Sequence, residues 1–171
     1  MIGILILAAA TVSSEPAPPP LATIRGAFLA LSVPDADAAA RWYSEKLGLK
    51  IIMRPPSQGD VRMIALAGGG LMVELIEQSG AAPLSQVAPQ IRHETMVLGL
   101  FKAGVFVDDW DGLVTGLKAR GVPIAMGPFP ATAEQRANLI IRDNNGNLIQ
   151  FFESRPAPSE SAALPSPSAT P

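Results

Sequence analysis

Hydrophobic and polar residues along this chain change period several times, and the changes come twice in the same order. Phe28-Leu-Ala-Leu-Ser-Val33 reads as a strand, with Leu29, Leu31 and Val33 on one face and Phe28, Ala30 and Ser32 on the other. Asp35 or Asp37 then supplies a helix N-cap, Ala38 to Leu47 an amphipathic helix, and Gly48 its left-handed stop. The second run is Lys102-Ala-Gly-Val-Phe-Val107, then Asp109 or Asp111, a helix over Leu113 to Arg120, and Gly121. Val33, Asp35 and Asp37 recur as Val107, Asp109 and Asp111 at one constant spacing. The halves also end alike: Met72 to Glu77 follows the turn Gly68-Gly-Gly70, and Leu148 to Glu153 follows Asn144-Asn-Gly146.

A unit repeated only twice is stable when the two copies close a common core. The pattern therefore predicts one α+β domain over about 23–154, with two βαβββ modules at about 23–78 and 98–154 forming a paired curved sheet around a central cavity. One face of each strand packs under its helix and the other lines the concavity. The concave set is Phe28, Ala30 and Ser32; Met72, Glu74 and Ile76; Lys102, Gly104 and Phe106; and Leu148, Gln150 and Phe152. Its mixture of apolar and polar groups suits a small-molecule ligand.

The ends follow another pattern. Ile4 to Val12 is apolar, far shorter than the roughly 20 residues that span a bilayer, and leads through Ser13 and Ser14 to Glu15. Residues 1–14 are expected to be a secretory signal peptide despite the absence of a leading Lys or Arg, which places the mature protein in the periplasm or outside the cell and off the membrane. A mis-assigned start, a short uncleaved anchor and a cytoplasmic location stay open. Residues 15–22 read as a Pro-rich linker, and 155–171, built of Pro, Ser and Ala, as a disordered tail.

Composition narrows the chemistry. At 171 residues, 48% hydrophobic and 16% charged, the chain supports one ordinary core. A net charge of −2 provides no basic field for nucleic acid. Without cysteine there is no disulfide, thiolate ligand or cysteine nucleophile. The single histidine, His93, sits in the polar connector Gln90 to Thr95, where solvation is the ordinary role and a closing lid the alternative. Gly68 to Gly70 reads as a hairpin turn, since the Lys-Ser/Thr of a phosphate loop is missing. Two loops, Arg54 to Asp60 and Gly127 to Arg136, could cover a cavity, and Arg136 could meet an acidic ligand. Trp42 and Tyr43 are expected to pack in the core with a polar edge.

At this point the residues resemble a known family. Val33-Pro-Asp35, Arg41-Trp-Tyr43 and Leu47-Gly-Leu49, together with Arg142 to Glu153, are similar to the opening and closing motifs of the vicinal oxygen chelate superfamily, which includes glyoxalases, bleomycin-resistance proteins and extradiol dioxygenases. The resemblance implies the fold and leaves the activity open, because its members catalyse several reactions or none. In the metalloenzymes it implies one ligand at each of four inward strand positions, which here are Phe28, Glu74, Lys102 and Gln150. Phe cannot ligate and a protonated Lys opposes a cation, so only Glu74 and the Gln150 carbonyl could coordinate. No cofactor is expected, and no metal is assigned to these positions.

Without a metal, three readings of Glu74 and Lys102 stay open: a structural ion pair with Gln150 bonded to it, a site in which Lys102 anchors a ligand oxyanion while Glu74 accepts a proton, and a Schiff-base lysine. Phe28, Gln150, Phe106, Phe152 and Arg136 are the expected ligand contacts. The resulting expectation is a glyoxalase/bleomycin-resistance-like protein with a degenerate metal site that binds a small molecule. A metal-dependent lyase, isomerase or dioxygenase with an unusual ligand set is the alternative, and a module that pairs as a homodimer through sheet edges is a third.

Overall fold

The computed structural model describes residues 27–93, 96–133 and 135–154. The expected signal peptide, the Pro-rich linker and the C-terminal tail lie outside the described residues. Among those described, no helix is long and apolar enough to cross a membrane.

The first module runs β1 (Leu29–Ser32), α1 (Ala36–Trp42), β2 (Lys50–Met53), β3 (Val61–Gly68) and β4 (Leu71–Gln78). A four-residue helix α2 (Leu84–Val87) lies in the connector, and the second module follows as β5 (Ala103–Val107), α3 (Trp110–Ala119), β6 (Ile124–Phe129), β7 (Asn138–Arg142) and β8 (Leu148–Glu153). The two sheets share one plan, β1-β4-β3-β2 and β5-β8-β7-β6, with a parallel first pair and antiparallel neighbours. The two βαβββ modules are therefore as the repeat predicts.

Of the candidate caps, Asp35 and Asp109 are the ones used: each side chain accepts from the backbone N–H three residues on, Ala38 at 2.8 Å and Gly112 at 2.9 Å. Both helices begin earlier than periodicity suggests, because the residue after each cap already turns. The first continues past Trp42 as a π turn, Tyr43–Leu47, before Gly48 stops it at φ +75°. That turn absorbs one residue more than α3 has, so the two stops are spaced one residue less than the two caps.

Alternation marks the more buried face in β1, β4 and β5, whereas β8 is buried on both faces from Leu148 to Phe151 and β2 and β6 are exposed throughout. Leu31, Val33, Ile64, Leu66, Val73 and Leu75 of the first sheet join Leu139, Ile141, Ile149 and Phe151 of the second in one cluster with Ala39, Ala40, Tyr43 and Leu117 of the helical segments. Side chains of this size each contribute about 1.5–3 kcal/mol when removed from water. The modules are thus held together by their helix-covered faces. Tyr43 also donates to Asp143 in the β7–β8 turn at 2.8 Å, and Lys46 Nζ donates to the Arg120 carbonyl at 2.5 Å.

Candidate functional site

The faces turned away from this shared core carry the residues singled out from sequence. On the first sheet, register places Glu74 between Ala30 and Ala65. Phe28, just ahead of β1, is 60% exposed, and Ala30 and Ser32 are exposed as well. Glu74 is half-buried and makes no ion pair among the described residues.

On the second sheet, register sets Gly104, Gln150 and Ile140 side by side, and Phe106, Phe152 and Asn138 beside them. The Phe106 and Phe152 rings stack with centroids 5.5 Å apart and planes 29° apart. The Arg136 guanidinium lies over the Phe106 ring, 5.2 Å from its centroid and within cation–π range. Three of the expected ligand contacts therefore meet on one open surface. Gly104 keeps the floor low, since a Cβ there would rest on the Phe152 ring at 3.7 Å.

Gln150 is buried and occupied. Its Nε2 donates to Asn138 Oδ1 at 2.9 Å, while Asn138 Nδ2 donates to the Arg136 carbonyl at 3.1 Å. This amide chain ties the strand under the aromatic pair to the segment that presents Arg136. Asn138 was not singled out from sequence, though its position in register with Phe152 carried the signal.

Lys102 corrects an expectation. It precedes β5, which starts at Ala103, and its Nζ lies 5.8 Å from the Phe101 ring centroid. With Arg92 and Arg142 it lines a separate cavity of about 420 Å³ beside the connector. Among the described residues no Glu74–Lys102 ion pair forms, and Gln150 bonds Asn138 instead. Glu74 lies on β4 of the first sheet and Gln150 on β8 of the second, with Phe28 just ahead of β1 and Lys102 just ahead of β5.

The donor set is also poor for a metal. The four positions supply one carboxylate and one amide that is already bonded, and no group of three His, Cys, Asp or Glu side chains among the described residues could hold an ion. His93 is exposed in the connector, and the Gly68–Gly70 turn joins β3 to β4 as expected. The charged cluster that does form is elsewhere: Arg54 and Arg62 pair with Asp37, Arg62 also pairs with Glu77 at 3.0 Å, and Glu77 accepts from the Ala36 N–H at 2.8 Å. Arg54, then Arg62, holds the Asp37 carboxyl below the usual carboxylate range. This cluster fastens the start of α1 to β3 and β4.

A comparison with curated proteins finds no significant match. Solved structures do match. A glyoxylase/bleomycin resistance protein/dioxygenase domain from Frankia sp. EAN1pec superposes with a TM-score of 0.61 at 20% identity, covering 79% of this chain and 96% of that one. Lactoylglutathione lyase from Agrobacterium tumefaciens has a TM-score of 0.52 at 24% identity, with 77% and 96% covered. TnmS3, an antibiotic binding protein from Streptomyces sp. CB03234, has a TM-score of 0.51 at 21% identity, with 76% and 97% covered. These likenesses concern the fold. The sequence profile of one superfamily matches residues 26–151, nearly all of both modules. The chain belongs to the Glyoxalase/Bleomycin resistance protein/Dioxygenase superfamily.

Proposed function

We propose that this protein binds a small planar acid on the outer face of its second sheet, works as a homodimer, and holds no catalytic metal at the positions its metalloenzyme relatives use. The observation that carries the reading is the stacked Phe106–Phe152 pair beneath the Arg136 guanidinium. Aromatic faces supply apolar area to a ring, and a guanidinium at the edge suits a carboxylate or phenolate. The antibiotic-binding description of one solved relative is in keeping with sequestration rather than turnover.

The homodimer follows from what one chain leaves uncovered. Phe28, Ile52 and Met53 on the first module, Phe106, Met126 and Phe129 on the second, and Leu98, Leu100 and Phe101 in the connector are large apolar side chains exposed to solvent. Apolar surface on this scale marks an interface. If the first sheet of one copy faces the second sheet of another, each copy completes the other's site, and Glu74 then stands opposite the aromatic pair as a candidate proton acceptor. Lys102 at the margin would be the second anchor for a ligand oxyanion. Export remains part of the proposal, resting on the apolar run Ile4 to Val12, and N-terminal sequencing of the mature protein tests it.

The test is a thermal-shift and equilibrium-dialysis panel of benzoates, naphthoates and hydroxylated polycyclic acids, followed by metal analysis of protein purified without chelators. Saturable binding that Phe106→Ala abolishes supports the reading. Stoichiometric metal that is lost, together with turnover, in Glu74→Ala would establish the metal-dependent alternative instead.

A further inference from the structure

The two helices of the repeat differ at one place that decides how space is filled. Counted from their capping aspartates, Trp42 of α1 corresponds to Gly116 of α3. Trp42 packs against the shared core and meets the Tyr43 ring edge-on at 5.1 Å. Gly116 brings no side chain. A Cβ added to it would meet only Arg120 Nη1, at an ordinary 3.7 Å, and its φ lies in the range every residue adopts. A glycine inside a helix weakens it, so neither backbone nor neighbours explain this one.

What it leaves open is a cavity of about 360 Å³ between the modules. Leu47, Leu49, Leu71, Leu113 and Phe151 form much of its lining, and the Gly68–Gly70 turn closes one side. That volume lies in the range of roughly 300–1,000 Å³ that small-molecule sites occupy. Lys46 and Arg120 also line it. Lys46 spends one donor on the Arg120 carbonyl, and neither side chain belongs to an ion pair among the described residues. One cation near a helix end is explained by the dipole of the last turn. Two of them beside an apolar cavity, with no carboxylate paired to either, make a site complementary to an amphipathic anion.

We infer that this cavity is a second binding site, sharing Phe106 with the outer face of the second sheet but otherwise lined by other residues, that takes a short acyl carboxylate: the alkyl chain occupies the space a tryptophan fills in the other module, and the carboxylate meets Lys46 and Arg120. The inference does not depend on what the aromatic face binds.

Amide NMR spectra of the full chain titrated with sodium octanoate, and separately with octanol, test it. Octanoate is expected to saturate at one equivalent per chain, with shifts concentrated at Leu71, Leu113, Gly116 and Leu117. Gly116→Trp, which restores the other module's side chain, should weaken octanoate by about tenfold or more, and Gly116→Leu serves the same purpose if the larger residue impairs folding. Lys46→Met with Arg120→Met should weaken octanoate severalfold and leave octanol unchanged. Absence of saturable binding up to millimolar octanoate, shifts confined to Phe152, Gln150 and Arg136, or undiminished affinity when Gly116 is filled would each overturn the assignment. Gly116→Trp should leave a planar acid's shifts at Phe152, Gln150 and Arg136 in place, so the failure of either site is read at residues the other does not touch.

Discussion

Tyr43 Oη donates to Asp143 Oδ2 at 2.8 Å across 100 residues of sequence, joining the helix of the first module to the last turn of the second. Asp143 also accepts from the N–H groups of Asn145 and Asn147 and from the Asn147 side chain. The carboxylate thus shapes its own turn and holds the neighbouring module. Removing the hydroxyl in Tyr43→Phe should cost about 1.5–3 kcal/mol, the range for a hydrogen bond to a charged group. Chemical denaturation measures it, and the far-UV spectrum should not change.

The same tyrosine makes stability depend on alkaline pH. Burial first, and then the adjacent Asp143 carboxylate, push its phenol well above the ordinary value. Below about pH 10 the phenol is protonated in both folded and unfolded chains, and stability does not depend on it. Above that, the unfolded chain releases the proton while the folded one retains it. Stability should then fall by about 1.4 kcal/mol per pH unit from this group alone. Denaturant melts between pH 9 and about 11.5 should show that slope reduced in Tyr43→Phe.

Replacing Gln150 by Leu removes the donor to buried Asn138 Oδ1. An orphaned buried acceptor costs about 1–3 kcal/mol, and the double variant with Asn138→Leu should recover part of the loss. A thermodynamic cycle of the two substitutions measures the coupling. If they are additive, the amide pair contributes nothing of its own.

Light scattering should report twice the mass of one chain. Leu98→Asp combined with Phe101→Asp puts charges into the exposed apolar connector and should yield monomers with unchanged secondary structure and lost affinity for planar acids. A chain that is monomeric from the outset, or a charged variant that stays dimeric, counts against the proposed interface.

The two kinds of glycine should respond oppositely. Gly48 stands at φ +75° with nothing near its missing Cβ, so Gly48→Ala bears a conformational cost of about 1–2 kcal/mol and no clash. Gly116→Ala sits in ordinary helix and should gain up to about 1 kcal/mol. Paired denaturation curves give both signs.

The first and last strand of each module, its helix and the repeat were legible from the chain alone, because strand alternation, capping aspartates and left-handed glycines are local devices, while the limits of β2, β3, β6 and β7 came only with the structure. Local physics chose between Asp35 and Asp37 only once the backbone was known, and it did not reveal the π turn that lets the first helix take an extra residue. The same alternation put Phe106 and Phe152 on one face, and Arg136 reaches that pair from the loop ahead of β7. It was blind to how the modules sit. Glu74, Lys102 and Gln150 share a pattern along the sequence, but the relation between their sheets is decided by the core that Tyr43, Leu66, Leu139 and Ile149 build from residues far apart in the chain. Periodicity says which face is apolar. Only the packing of one apolar face on another decides what the opposite faces can meet.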